Sequence, residues 1–127
     1  TILLQDLHVS SLEVYSGTKQ DEGNGRWVPV TPVPNALTIN SADMLQVWTN
    51  NRLKAPEHRV RATRPDSAHP RYSVAFFLNP NYDSMVTAHP CNVNEDGSTL
   101  PPFYRPIRWG DFRSLRYLGD YEDVGEE

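Results

Sequence analysis

Arg71 and Ser73 stand two residues apart in a strand-like run, residues 72–78 with the arginine just ahead of it. Side chains along a strand alternate between faces, so Arg71, Ser73, Ala75 and Phe77 point the same way. A guanidinium fork and a hydroxyl on one face can grip a single carboxylate, with two charge-assisted bonds and a third donor. His58 lies upstream in Glu57-His58-Arg59-Val60, and imidazole suits iron, copper, nickel or zinc. A hairpin joining the His58 and Arg71 strands would set a metal ligand beside a carboxylate anchor. That is the layout for chelating a 2-oxo acid. Taken singly these signals are weak: a lone strand histidine is more often packed or at the surface, and an Arg-x-Ser arginine is often in a surface salt bridge. Cys91, the single cysteine, forms no disulfide within the chain. With no helix start or basic neighbour to activate it, it is expected to be structural or incidental.

The elements that must position these residues are short. Eleven prolines and seven glycines cut the chain into pieces, which favours strands and turns over long helices. Strands are expected at 1–6, 12–15, 36–40, 44–49, 57–63 and 72–78. The stretch 26–30 is expected as an edge strand, because Pro29 cannot donate to a central ladder. Pro34-Asn35 and Asn50-Asn51 read as turns, and 17–25 as a solvated loop. One helix is expected, 109–121, with Phe112, Leu115 and Leu118 forming its apolar stripe and Gly119 its stop. Tyr104, Trp109 and Phe112 are an aromatic cluster that reads as core before it reads as a substrate contact. The pattern is that of a β-sandwich or jelly roll: barrel strands over 1–90, a loop over 91–108, the helix, and a frayed acidic tail over 122–127.

A chain of 127 residues is one domain by default. Its 38% hydrophobic and 22% charged residues are globular but slightly poor in apolar mass, as if some core partners lay elsewhere. A net charge of −4 without a basic block argues against nucleic acid as partner. No apolar run approaches the roughly 18–20 residues of a membrane span, and no signal pattern opens the chain, so a cytoplasmic home is expected. The start at Thr1, directly in an apolar strand-like run, is expected to mark a cut chain.

Several of these motifs follow one another in register: Leu3-Leu4-Gln5-Asp6, Leu12-Glu13-Val14, Trp27-Val28-Pro29-Val30, Ala36-Leu37-Thr38-Ile39-Asn40, Asp43 to Asn50, His58-Arg59-Val60, Arg71-Tyr72-Ser73 and Phe76-Phe77-Leu78-Asn79-Pro80. In order and spacing the chain resembles the isopenicillin N synthase-like Fe(II)/2-oxoglutarate-dependent dioxygenases over residues 1–80, and more loosely to its end. The resemblance implies an all-β fold, an incomplete double-stranded β-helix (jelly roll) with a short C-terminal helix. It implies an oxidoreductase that uses Fe(II) and 2-oxoglutarate to oxidise a small organic substrate, releasing succinate and CO2. It makes His58 the second histidine ligand of the iron, Arg71 and Ser73 the partners of the distal 2-oxoglutarate carboxylate, and Phe77 a residue lining the substrate side.

The family holds its iron with two histidines and an aspartate, and its His-x-Asp motif falls ahead of the stretch matching Leu3-Leu4-Gln5-Asp6. Both ligands are therefore expected to lie outside this chain. His8, His69 and His89, in loop-like contexts without a spaced carboxylate, do not replace them. Ser11, and Ser41-Ala42 before Asp43, depart from the family's glycines and read as turn variations. The chain alone is expected to be inert, and its open sheet edge to lead to oligomers or a partner fragment. Two alternatives stand beside this reading. One is the same barrel oxidising a substrate without 2-oxoglutarate, as isopenicillin N synthase does; the other is a non-catalytic jelly-roll binding module.

Overall fold

The structure, a computed structural model, describes residues 1–17, 25–61 and 70–119. By its contacts the chain divides into two compact units. Unit 1 comprises Thr1–Asn40 with Pro56–Leu78, and unit 2 comprises Ser41–Ala55 with residues 79–127. The loop expected around 18–24, His69 and the acidic tail lie outside the described residues.

Unit 1 holds two three-stranded antiparallel sheets. In the first, β1 (Ile2–Gln5) sits between β4 (Thr38–Ile39) and β6 (Ser73–Phe76). Its register places Ile2 opposite Ile39 and Phe76, Leu3 opposite Thr38 and Ala75, Leu4 opposite Val74, and Gln5 opposite Ser73. Residues directly opposite in an antiparallel pair point to the same face. One face is therefore apolar, with Ile2, Leu4, Ile39, Val74 and Phe76, while the other carries the polar set of Gln5, Thr38 and Ser73.

In the second sheet, β2 (Leu12–Ser16) lies between β3 (Arg26–Pro29) and β5 (His58–Val60). β3 is an edge strand, as Pro29 requires. One face carries Glu13, Tyr15, Trp27 and Arg59; the other carries Leu12, Val14, Val28, His58 and Val60. The Glu13 face is stitched by charge and aromatic contacts. Arg59 binds Glu13 at 2.9 Å and lies over the Trp27 ring, 4.0 Å from its centroid, and Tyr15 packs on Trp27.

Unit 2 contains α1 (Asp43–Trp48), the pair β7 (Met85–Val86) and β8 (Ile107–Arg108), and α2 (Trp109–Tyr117). Its core joins Val47, Val86, Tyr104, Ile107 and Phe112, with Met44 and Trp109 packed against it. Tyr104 and Phe112 are thus core residues, and the Tyr104 hydroxyl donates to Asn51 Oδ1 while accepting from Gln46 Nε2.

Three expectations need correction. Residues 44–49 were expected as a strand but form the helix α1 to Trp48. Met44 and Val47, three apart, both reach the core, which a strand's two-residue period cannot achieve, and Asn50 and Asn51 then end the helix at φ 50° and 69°. The span 91–108 contains β8 and a Val93–Thr99 bridge where a loop was expected. Along α2 only Phe112 of the expected stripe is buried, and Leu118 is 83% exposed. At about 100° per residue, three-residue steps drift off one face, so a stripe at strict threes cannot stay buried. Gly119, at φ 82°, does mark the helix stop.

Candidate functional site

The polar face of the first sheet is built around Arg71. Its Nη1 donates to Ser73 Oγ at 3.1 Å, and its Nη2 donates to Gln5 Oε1 at 3.1 Å on the neighbouring strand. Gln5 Nε2 in turn donates to Thr38 Oγ1 at 2.8 Å, one strand further. A continuous polar row therefore crosses all three strands, Thr38–Gln5–Arg71–Ser73. Arg71 Nε is buried with no hydrogen-bond partner. A buried guanidinium N–H left without an acceptor is costly, and a carboxylate is the group that best answers it. Among the described residues, none of the ion pairs involves Arg71.

Arg71 and Ser73 thus meet as the alternation of a strand demands. Gln5 and Thr38 were not foreseen. No local pattern marks Gln5, since Ile2-Leu3-Leu4 ahead of it is apolar throughout, and only the register of β1 shows which strands it bridges. Phe77 follows β6 and is exposed.

His58 is placed differently from the expectation. A hairpin with the Arg71 strand was expected, but β5 pairs with β2 and β6 pairs with β1, in separate sheets. The reason is that β1 and β2 are the inner strands of their sheets, so each of β5 and β6 takes an edge beside one of them. The imidazole is exposed, with Nδ1 3.3 Å from the Pro56 carbonyl. It shares its face with Leu12, Val14, Val28 and Val60, so it rises from an apolar wall. Val60 on that wall is 60% exposed.

Among the described residues no group of three His, Cys, Asp or Glu side chains could hold a metal ion. The single imidazole of His58 does not by itself make an iron site among the described residues. Arg71 and Ser73 do fit a carboxylate.

The other described histidines, His8 and His89, stand at chain turns. The backbone N–H of His8 donates to Asp6 Oδ1 at 2.7 Å. His89 stacks edge-on against Trp48, and its Nδ1 lies 2.8 Å from Cys91 Sγ. Cys91 does have a basic neighbour, contrary to expectation, because the turn at His89–Asn92 folds the chain back on itself. A cavity of about 190 Å³ in unit 2 runs past His89, Thr99, Leu100 and Tyr104. Its walls are mostly apolar, with no carboxylate or second imidazole.

The 2OG-Fe(II) oxygenase superfamily matches residues 1–80. Gibberellin 2-beta-dioxygenase 5 of Oryza sativa subsp. japonica is 38% identical over 103 residues, covering 81% of this chain and 28% of that protein. The crystal structure of a dioxygenase for auxin oxidation in rice superposes with a TM-score of 0.72 at 36% identity, over 98% of this chain and 38% of that one. The crystal structure of JOX2 in complex with 2OG, Fe and JA gives 0.69 at 33% identity, over 90% of this chain and 30% of that one. The chain spans 22% to 38% of the length of the first curated relatives it matches. The sheets of unit 1, with the short C-terminal helix, are an incomplete jelly roll of the kind these oxygenases share.

Proposed function

We propose, from the premise that the chain belongs to the 2OG-Fe(II) oxygenase superfamily, that it supplies the co-substrate clamp and one iron ligand of a 2-oxoglutarate-dependent dioxygenase. The observation that carries this reading is the Arg71 guanidinium, held by Ser73 and Gln5 while its buried Nε has no acceptor. Arg71 and Ser73 would take the far carboxylate of 2-oxoglutarate, Arg71 through its fork and Ser73 through its hydroxyl. His58 would offer one imidazole to the iron from the apolar wall of the second sheet. Iron(II) with 2-oxoglutarate and O2 supplies the oxidising power in this superfamily. The task of this chain's residues is to orient the co-substrate and keep its surroundings dry.

The substrate would be a small organic molecule. Relatives carry names that include gibberellin and 2-oxoglutarate-dependent dioxygenase, which favours 2-oxoglutarate as the carboxylate over a substrate bound directly at the clamp.

The test is a titration of the isotopically labelled chain with 2-oxoglutarate, followed through the amide resonances of Gln5, Ser73 and Ala75. Saturable shifts at these positions, absent in Arg71→Met, are the expected result. No shift, or the same shifts in Arg71→Met, would sink the clamp.

A further inference from the structure

We propose that Gln5 and Thr38 are positioning residues that tether Arg71 without neutralising it, so that its full charge is kept for the ligand. The proposal rests on the clamp reading above and extends it to two residues outside the Arg-x-Ser pair.

The geometry fixes how the tether works. Arg71 Nη2 is a donor only, so the Gln5 side chain must present its carbonyl oxygen to it. That leaves the amide nitrogen of Gln5 facing Thr38, whose hydroxyl accepts at 2.8 Å. Turning the amide over would set two donors against each other at Arg71. Arg71 therefore sets which way the Gln5 amide faces, Thr38 anchors the amide's far end, and Gln5 holds one nitrogen of Arg71. Ser73 locks another at 3.1 Å. Two of three guanidinium nitrogens are thus held in place before a ligand arrives, which lowers the ordering cost of binding.

The choice of a neutral tether matters. A glutamate at position 5 would reach the same nitrogen and form an ion pair, satisfying the charge that an incoming carboxylate must meet. Glutamine gives the direction without the charge, and among the described residues no carboxylate pairs with Arg71. The tether therefore keeps Arg71 selective for an anion delivered from outside the sheet.

The experiment uses the 127-residue chain and three variants, Gln5→Glu, Gln5→Leu and Thr38→Val. The probes are 2-oxoglutarate and glutarate, and the readouts are the dissociation constant, the unfolding midpoint and 15N relaxation of Arg71 Nε. Gln5→Glu is expected to keep or raise the unfolding midpoint while weakening dicarboxylate binding on the order of tenfold, since the charge is already paired. A merely structural role for Gln5 would not separate the two. Gln5→Leu and Thr38→Val are expected to increase the motion of Arg71 Nε, with Thr38→Val keeping the fold because valine is nearly isosteric. Unchanged dicarboxylate affinity in Gln5→Glu, or unchanged Nε motion in both other variants, overturns the proposal. If the unmodified chain binds neither dicarboxylate, the clamp reading fails, and the relaxation data alone then decide whether the tether holds.

Discussion

Arg59 reaches Glu13 with both Nε and Nη2, each 2.9 Å from the same carboxylate oxygen, across the β2–β5 pair. Glu13 is only 7% exposed, and a second arginine, Arg61, approaches its other oxygen at 3.5 Å. The pair closes one face of the sheet whose opposite face bears His58, so it fixes the strand from which the imidazole projects.

Replacing Glu13 with alanine removes a nearly buried acceptor of charge-assisted bonds and is expected to cost about 1.5–3 kcal/mol in urea unfolding. Arg59→Lys should cost less, about 1 kcal/mol, because the ammonium keeps a charge near Glu13 while losing the fork and part of the Trp27 stacking. Equal losses for the two would show that the fork and the Trp27 stacking hold the strand and that the retained charge adds nothing.

The 127-residue chain by itself is expected to form no succinate from 2-oxoglutarate in the presence of iron(II). Its described residues offer no group of three metal-binding side chains, and one imidazole is too few to retain the ion against water. The assay is succinate release under air. Turnover above buffer that disappears in His58→Ala would contradict this expectation.

How much of this was legible from the sequence differs from residue to residue. Arg71 and Ser73 could be read together because a strand's alternation is a local rule. The edge position of β3 followed from Pro29, and the turns from Pro34-Asn35 and Asn50-Asn51, for the same local reason. Gln5 and Thr38 could not be read, since their link to Arg71 joins strands 66 and 33 residues apart in sequence through register alone. His58 was tied to the wrong neighbour because chain order suggested a hairpin, whereas its strand pairs with β2. The helix α1 was legible and was missed. Met44, Val47 and Trp48 recur at helical spacing, but the surrounding strands made a further strand the easier reading.

The apolar face of the first sheet should make the isolated chain associate. Leu4, Ile39, Val74 and Phe76 are all more than half exposed there, and apolar side chains gathered on one open sheet face favour association. Light scattering is expected to show mass rising with concentration. Val74→Lys, on the exposed edge strand, should shift the population toward monomer. A monodisperse monomer at all concentrations would show that this face is not sticky.

Acid should loosen the turn at Asn94–Ser98 later than an ordinary carboxylate would allow. Asp96 Oδ1 accepts from the Ser98 hydroxyl at 2.6 Å and the Ser98 N–H at 2.9 Å. The hydroxyl bond first, then the backbone bond, hold the carboxyl below its usual 3.8. A lowered folded-state value means that this contribution is present above the unfolded value and is lost as pH falls through the folded one. The carboxyl carbon of Asp96 is expected to titrate below 3.8, and Ser98→Ala to move it partway back. An unmoved midpoint in Ser98→Ala would assign the shift to the backbone alone.

Asn50 ties the end of α1 to the chain at 101–103 within unit 2. It is 3% exposed, its amide donates to the Pro101 carbonyl at 3.0 Å, and its oxygen accepts the Phe103 N–H at 2.8 Å. It also adopts φ 50°, a left-handed conformation that asparagine tolerates and most residues resist. Asn50→Ala loses both bonds, buries two unanswered backbone groups and strains the turn, for an expected total of about 2–4 kcal/mol. Asn50→Gly loses the same bonds without the strain and should be milder by about 1 kcal/mol. Thermal or urea unfolding of the pair separates the two contributions. If glycine and alanine destabilise equally, backbone strain plays no part, and the hydrogen bonds to Pro101 and Phe103 account for the whole effect.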